Sequence, residues 1–119
     1  MSNTTVDRLV TGWLSLRDVA DRLGVSTNKV RQMVRDRQLS ALRHSEAREP
    51  QVPAEMLDGT VVVKGLAGTL TLLADAGYDE EESVRWLFTA DDSLPGRPID
   101  ALRKNRGTEV RRRAQALAF

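Results

Sequence analysis

Five polar side chains recur at helical spacing in the segment 27–35 and could bind the edges of DNA bases. They are Thr27, Asn28, Arg31, Gln32 and Arg35. Positions separated by three, four or seven residues share one face of an α-helix. Arginine pairs with guanine through two hydrogen bonds, and asparagine or glutamine pairs with adenine in the same way. The pattern therefore suits a helix that enters the major groove of DNA.

Two short helices are needed to position these side chains. Ser15 begins a capping-box pattern, so a first helix should start at about residue 16 and run to residue 23. Gly24 ends that helix. Ser26 can cap a second helix over residues 27–37. The turn between the two helices is too short for a relaxed antiparallel hairpin, so the helices should cross steeply.

The apolar residues of this segment meet the requirements of a helix-turn-helix. Such a motif needs a small residue inside its first helix, a glycine at the turn, and branched or long apolar residues on the inner face of its second helix. The residues expected to form this core are Ala20, Leu23, Val25, Val30 and Met33. The alternative is an ordinary helical hairpin whose polar face is solvated.

The segment after the second helix, LSALRHSEAREPQVP, predicts a two-stranded hairpin whose edges are marked by prolines. Beside a helix-turn-helix this hairpin would be a wing; the alternative is a small sheet that only covers the core. Basic side chains on the second helix and on the wing would contact phosphates, which fix the position of a protein on DNA. They are Lys29, Arg37, Arg43 and Arg48.

Charge is distributed unevenly along the 119 residues, although the net charge is only +1. Residues 26–48 carry six basic residues against two acidic ones, residues 49–102 carry three against eleven, and residues 103–119 carry six against one. This asymmetry indicates an anionic partner for the basic segments. The C-terminal basic cluster would either add phosphate contacts or pair two protomers into a homodimer, and the sequence leaves both readings open.

Composition excludes several classes of protein. The chain has no cysteine and a single histidine, His44, which excludes thiolate chemistry and a histidine-built metal site. His44 is expected to be a polar surface residue, because no serine, lysine or carboxylate is paired with it at a recognisable spacing. No apolar run approaches the ~20 residues that cross a bilayer. We therefore expect a cytoplasmic protein that is not an enzyme and binds no cofactor, metal or membrane.

The rest of the chain predicts helices that pack on this module. Leu66, Leu70 and Leu73 recur at helical spacing, which indicates an amphipathic helix. The first twelve residues are polar and should be frayed. The predicted fold is mainly α, a winged helix-turn-helix with additional C-terminal helices. Its parts are a flexible N-terminal tail of residues 1–12, a winged helix-turn-helix module of residues 13–57, and a C-terminal helical extension of residues 58–119.

Two resemblances bear on function. The segment WLSLRDVADRLGVSTNKVRQMVRDRQLSALR resembles the winged helix-turn-helix of excisionase- and MerR-type DNA-binding proteins. The whole chain, especially GLAGTLTLLADAGYDEEESVRWLFTADDSL and RPIDALRKNRGTEVRRRAQALAF, resembles a small actinobacterial winged helix-turn-helix family whose mycobacterial member is a substrate of serine/threonine protein kinase L. That resemblance implies binding of double-stranded DNA, regulated by threonine phosphorylation in the N-terminal tail. The candidate phosphosites are Thr4, Thr5 and Thr11.

These features together predict a sequence-specific DNA-binding protein that regulates transcription, and two other classes are left open. The segment WLFTADDSLPGRPIDAL resembles the C-terminal domain of ParS/Xre-type antitoxins, so a toxin-binding module is one alternative. The other is a nucleoid or RNA-binding protein without operator preference. An antitoxin should co-purify with a toxin in the absence of DNA, and a non-specific binder should recover genomic fragments that share no motif.

Overall fold

Seven α-helices and two small antiparallel sheets make up the described part of the chain, which in this computed structural model comprises residues 4–44, 47–91 and 96–118. The helices are α1 (Thr4–Leu9), α2 (Leu16–Leu23), α3 (Thr27–Arg35), α4 (Leu66–Asp75), α5 (Glu80–Phe88), α6 (Pro98–Arg103) and α7 (Gly107–Ala116). The strands are β1 (Trp13–Ser15), β2 (Gln51–Pro53), β3 (Leu57–Asp58) and β4 (Val61–Val62). A 3-10 turn at Ala54–Met56 joins β2 to β3. The predicted mainly helical class is confirmed.

Both helices of the helix-turn-helix begin at serine caps, as the sequence predicts. The Ser15 side chain accepts a hydrogen bond from the backbone N–H of Asp18 at 3.0 Å, and Ser26 accepts one from Lys29 N–H at 3.0 Å. Each bond satisfies a donor that the first turn of a helix leaves unpaired. Between the helices Gly24 has a φ of 71°, a left-handed conformation that disfavours other residues.

The helix-turn-helix core is smaller than predicted. Ala20, Val30 and Met33 are buried, but Leu23 is only partly buried and Val25 is 37% exposed. The backbone N–H groups of Gly24 and Val25 both donate to the carbonyl of Ala20, so the turn is closed by main-chain bonds. The expectation of a buried Val25 is therefore wrong, since the turn does not require its side chain.

Helix α3 ends at Arg35, two residues earlier than predicted. The backbone N–H of Gln38 donates to the carbonyl of Met33 at 2.8 Å, which closes the helix end, and Arg37 has a φ of 61°. Glycine usually occupies this left-handed position after a helix. For any other residue it costs about 1 kcal/mol or more.

The predicted wing hairpin is reduced to a single bridge. Leu42 and Gln51 exchange two backbone hydrogen bonds of 2.9 and 2.8 Å. Strand β2 pairs instead with β1, with Ser15 opposite Gln51 and Trp13 opposite Pro53. Proline has no N–H to donate, so the residues around Pro50 and Pro53 cannot sustain a longer ladder. Residues 45 and 46, in the predicted polar tip of the hairpin, lie outside the described residues.

The expectation of a flexible tail over residues 1–12 is wrong for the part that the structure describes. Residues 4–9 form α1, whose Val6 is fully buried, and Val10 just beyond it is 2% exposed. Helix α1 packs against α5 of the C-terminal extension. Two valines four residues apart give a short helix an apolar stripe, and α5 supplies the surface that covers it. The polar composition of the segment hid this pattern.

Truncating Val6 tests whether α1 is part of the fold. We expect Val6→Ala to lower the free energy of unfolding by about 2 kcal/mol, because it removes two buried methyl groups and leaves a cavity. The exposed Arg8 on the same helix provides the matched variant Arg8→Ala, which should leave stability unchanged. Urea denaturation of both variants is the measurement. Equal urea midpoints for Val6→Ala and the wild type would contradict this expectation and support a flexible tail.

The C-terminal extension shares one hydrophobic core with the winged module. Leu66, Leu70 and Leu73 of α4 are buried, as their spacing predicts, and α4 packs against α5 and α7. Asp79 and Glu82 form the reciprocal capping box at the start of α5, through bonds of 2.8 and 3.0 Å. Buried residues of both parts form one cluster, and α5 packs against α1, so the extension is fixed to the module by shared packing.

Arginines of the extension also bind the end of the winged module. Arg97 Nη2 lies 2.6 Å from Glu55 Oε2 and 2.7 Å from Asp100 Oδ1. This pairing raises the pKa of Arg97 and lowers the pKa of Asp100, because each charged form is stabilised by its hydrogen-bonded partner. Arg103 Nη1 donates to the carbonyls of Glu55 and Leu57 at 2.8 and 2.7 Å. These contacts fix how α6 lies against the 3-10 turn.

Candidate nucleic-acid interface

The outward face of α3 carries the side chains that the sequence predicts to read bases. Val30 and Met33 point into the core, which leaves the opposite side of the helix in solvent. The residues exposed there are Asn28, Arg31, Gln32 and Arg35, and Thr27 at the helix start is half-buried. Arg31 Nη1 donates to Asn28 Oδ1 at 3.2 Å, so these two side chains are oriented together.

A cleft of about 530 Å³ lies beside this face. Its walls are the start of α2, the start of α3 and the wing segment 47–51. The cleft brings together three residues that the sequence predicts for DNA contact, Thr27, Arg31 and Arg48. In a helix-turn-helix complex the second helix occupies the major groove while the first crosses the sugar-phosphate backbone. A cleft shared by both helices and the wing therefore suits a DNA strand.

Arg17 also lines this cleft, although the sequence analysis did not select it. It is the second residue of α2 and is exposed. The sequence could have identified Arg17 as a candidate, because the first helix of a helix-turn-helix crosses the DNA backbone. Arg17 and Arg48 therefore face the same space from α2 and from the wing.

The remaining predicted phosphate contacts lie outside the cleft. Lys29 is exposed near the start of α3, and Arg43 is exposed at the base of the wing. Arg37 is exposed in the turn after α3, where it lies near Glu80 of the extension. The structure thus brings one of the four predicted phosphate-binding residues, Arg48, into the cleft with α3.

His44 is packed between three segments at the base of the wing. Its ring stacks on Trp13 with 3.8 Å between centroids and 12° between planes. Its Nδ1 lies 2.9 Å from Asp7 Oδ1, and its Nε2 contacts Gln51 Oε1. The expectation of a polar surface residue is wrong, because partners from α1, β1 and β2 cover the ring. This cluster fixes the orientation of the wing relative to α1.

The described residues offer the chemistry of phosphate and base-edge recognition. No group of three histidine, cysteine, aspartate or glutamate side chains suited to a metal ion occurs among them. Across the same residues, no helix is long and apolar enough to cross a membrane. Guanidinium and amide groups are exposed on the outer face of α3, and three arginines line the cleft beside it. These are groups that bind phosphates and base edges.

These elements define a winged helix-turn-helix protein with a helical extension. Comparison with known proteins then gives the family. Residues 4–57 match the family model described as "DNA-binding protein Rv2175c, wHTH domain", and residues 63–118 match "Rv2175c C-terminal domain of unknown function". The chain belongs to the Rv2175c family.

A curated protein and a solved structure carry the same similarity. The chain is 42% identical over 114 residues to "DNA-binding protein Rv2175c" of Mycobacterium tuberculosis, covering 85% of this chain and 77% of that protein. It is similar to the solved "NMR structure of Rv2175c" with a TM-score of 0.80 and 40% identity, covering 91% of this chain and 82% of that one. The first family match includes α1, which agrees with α1 being part of the folded module.

Proposed function

We propose that this protein is a sequence-specific DNA-binding regulator of transcription. The observation that carries the proposal is the exposed face of α3 beside a cleft that holds arginines from α2, α3 and the wing. The M. tuberculosis relative bears the name of a DNA-binding protein, which supports the same function here. In this proposal α3 enters the major groove and the cleft receives the adjacent phosphates.

The roles divide by position. Asn28, Arg31 and Gln32 lie on the outer face of α3 and carry the donors and acceptors that match base edges. Thr27 and Arg35, at the two ends of the helix, fix its register. Phosphates are bound by arginines and a lysine around this face, with no preference for sequence. These are Arg17, Lys29, Arg37, Arg43 and Arg48.

Recovery of genomic fragments on the purified protein tests the proposal. We expect the sequenced fragments to share one motif that competes for binding against bulk DNA. Fragments without a common motif would instead favour the non-specific nucleic-acid reading. A second protein that stays bound after nuclease treatment, together with no recovered DNA, would favour the antitoxin reading.

The proposal includes the binding of two protomers to one operator. A single winged module buries only ~600–1,000 Å² of protein surface on DNA, so operator specificity usually needs a dimer or a second contact. The exposed Arg112 and Arg113 on α7 are the candidates for that second contact. Sedimentation of the operator complex gives the stoichiometry, and one protomer per site would exclude the dimer.

Threonine phosphorylation by a serine/threonine kinase is the regulation that we propose for the N-terminal segment. Thr4 and Thr5 form the start of α1, whereas Thr11 is exposed between α1 and β1. Thr11 therefore offers its hydroxyl to a kinase from a position outside α1. It precedes Ser15 in the cleft by only four residues.

We expect phosphate on Thr11 to weaken DNA binding. The group adds about −1.5 to −2 charges beside a surface that binds phosphates, and the two anions repel each other. The measurement is operator affinity before and after stoichiometric phosphorylation, on authentic phosphoprotein because aspartate is a poor mimic. Thr11→Ala is the control, and it should keep full affinity after kinase treatment. Equal affinity of the modified and unmodified wild type would exclude this regulation.

A further inference from the structure

A second cavity lies where the winged module meets the extension, at the opposite end of α3 from the cleft. We call it the junction cavity. Its volume is about 220 Å³. It lies between the end of α3 and the start of α5, and its apolar surface comes from both modules. The apolar residues are Val34, Leu39, Leu70 and Ala74.

The junction cavity carries opposite charges from opposite modules. Arg35 and Arg37 reach it from the winged module, and Asp79 and Glu80 reach it from the extension. The carboxylate of Asp79 is engaged in the capping box of α5. Glu80 Oε1 accepts a hydrogen bond from the backbone N–H of Ala41 at 3.2 Å. Burial raises the pKa of Glu80 more than this bond and the nearby Arg37 lower it, so its negative charge is incompletely compensated.

Buried hydroxyl groups complete the lining. Ser40 and Ser83 are only 3% and 4% exposed, and both face the cavity with Tyr78. Serine is mostly exposed in folded proteins, and apolar side chains more often fill a buried junction. A polar lining over an apolar floor is the composition of a small-molecule site.

The backbone at Arg37 supports the same conclusion. Its φ of 61° belongs to the position where glycine normally ends a helix. Local strain of this kind is often found at functional sites, where a side chain is needed despite the cost. Here the side chain is a guanidinium at the edge of the cavity, close enough to Glu80 to offset part of the rise that burial causes in the pKa of Glu80.

We propose that the junction cavity binds a small zwitterion of the amino-acid class, with its ammonium group on Glu80 and its carboxylate on Arg37. The volume of about 220 Å³ lies below the ~300–1,000 Å³ of pockets for drug-sized ligands, so the cavity favours a small ligand. Ser40 and Ser83 lie in position to bind the remaining polar atoms, and the apolar floor contacts the side chain of the ligand.

The two signs of charge in this lining favour a ligand that carries both. A simple carboxylate could pair with Arg37 but would also lie near Asp79 and Glu80, and a simple amine could pair with Glu80 but would also lie near Arg35 and Arg37. A zwitterion places each charge beside its opposite. Hydrogen bonds to charged groups are roughly twice as strong as those between neutral groups, so each end contributes to affinity and to selectivity.

A ligand in the cavity would contact α3 directly, because Val34 and Arg35 belong both to that helix and to the cavity wall. A ligand held between Arg37 and Glu80 would fix the end of α3 against α5. This coupling rests on the proposed function, in which α3 reads DNA. By thermodynamic linkage, the ligand and the operator would then change each other's affinity by the same factor.

The test of the site uses the free full-length protein and no DNA. Amide NMR spectra are recorded during titration with each of the common amino acids, and with propionate and propylamine as probes that carry one charge. We expect saturable shifts for at least one amino acid at residues 39–41 and 79–83. Neither single-charge probe should saturate. Absence of saturation by every amino acid would overturn the proposal, and so would equal binding of either single-charge probe.

Two substitutions make the assignment specific. Glu80→Gln keeps an oxygen for Ala41 N–H but removes the charge, and Arg37→Gly removes the guanidinium while it relieves the left-handed backbone. We expect each to weaken amino-acid binding at least ~10-fold. The exposed Arg22 supplies the control Arg22→Gln, which should bind as the wild type does. Unchanged binding by either cavity variant would overturn the assignment, and Arg37→Gly suffices if Glu80→Gln does not fold.

Operator affinity with and without the bound amino acid tests the coupling separately. A change in affinity that Glu80→Gln abolishes supports the coupling, because Glu80 is not among the residues proposed to bind DNA. Saturable amino-acid binding with unchanged operator affinity removes the coupling and leaves the DNA-binding proposal intact. Saturable binding by a protein that recovers no genomic motif overturns the DNA-binding proposal and leaves the ligand site intact.

Discussion

Arg31→Ala is expected to lower operator affinity by roughly 5- to 150-fold and to relax the preference at the base that Arg31 contacts. A bidentate contact between arginine and guanine contributes ~1–3 kcal/mol of discrimination, which corresponds to that range. Arg31 lies on the exposed face of α3, it lines the cleft, and its bond to Asn28 orients it before DNA arrives. Folding should be unaffected, because the side chain contributes nothing to the core.

Binding-site selection with the variant is the decisive measurement. Gln32→Ala should also relax the preference, at a different base, because Gln32 is the next residue on the exposed face of α3. Lys29→Ala is the matched control on the same helix. It should weaken binding to all sequences alike, because a phosphate contact carries no base information. Selection of the wild-type motif at wild-type affinity by Arg31→Ala would show that α3 does not read the operator.

The local features of the fold could be predicted from the sequence because their causes are local. Ser15, Ser26 and Asp79 each cap a helix through a bond to a residue three positions later. The spacing of Leu66, Leu70 and Leu73 likewise defines one face of α4 without reference to any other segment. Short-range chemistry of this kind also placed the exposed face of α3 correctly.

The features that could not be predicted depend on distant partners. Helix α1 is buried only because α5, more than seventy residues later, supplies a surface for Val6. The position of His44 depends on Asp7, 37 residues earlier, and on Trp13. In the same way Arg37 and Glu80 meet only when the extension folds back on the module. A pattern within one segment contains no information about which remote segment will cover it.

Arg17 shows how this limit affects the candidate site. Its neighbours in the sequence belong to α2, and its relation to Arg48 of the wing exists only because β1 pairs with β2. That pairing brings the start of α2 and the wing to the same edge of the cleft. The pairing of β1 with β2 therefore determines which arginines can bind one DNA strand from two sides. Because Arg17 and Arg48 are far apart in the sequence, the sequence alone does not show that they lie at the same cleft.

Replacement of both cleft arginines, Arg17→Ala with Arg48→Ala, is expected to lower the slope of log affinity against log salt by about 2. Each phosphate that the protein neutralises contributes ~0.9 to that slope on duplex DNA, so each lost contact also weakens binding by roughly tenfold near 0.1 M salt. The loss should be equal for the operator and for unrelated DNA, since neither arginine lies on the base-reading face of α3. Titrations at several salt concentrations with both DNAs provide the measurement.

Arg22→Ala is the matched control, because Arg22 is exposed on α2 like Arg17 but lies in the last turn of the helix, away from the cleft. It removes one positive charge where the cleft variant removes two, so an effect of net charge alone would appear in the control at about half its size. We expect its salt slope to equal that of the wild type. An equal slope for the cleft variant as well would mean that no phosphate lies in the cleft. A loss of affinity for the operator alone would instead indicate that the cleft arginines contact bases and not phosphates, because only contacts to bases distinguish one sequence from another.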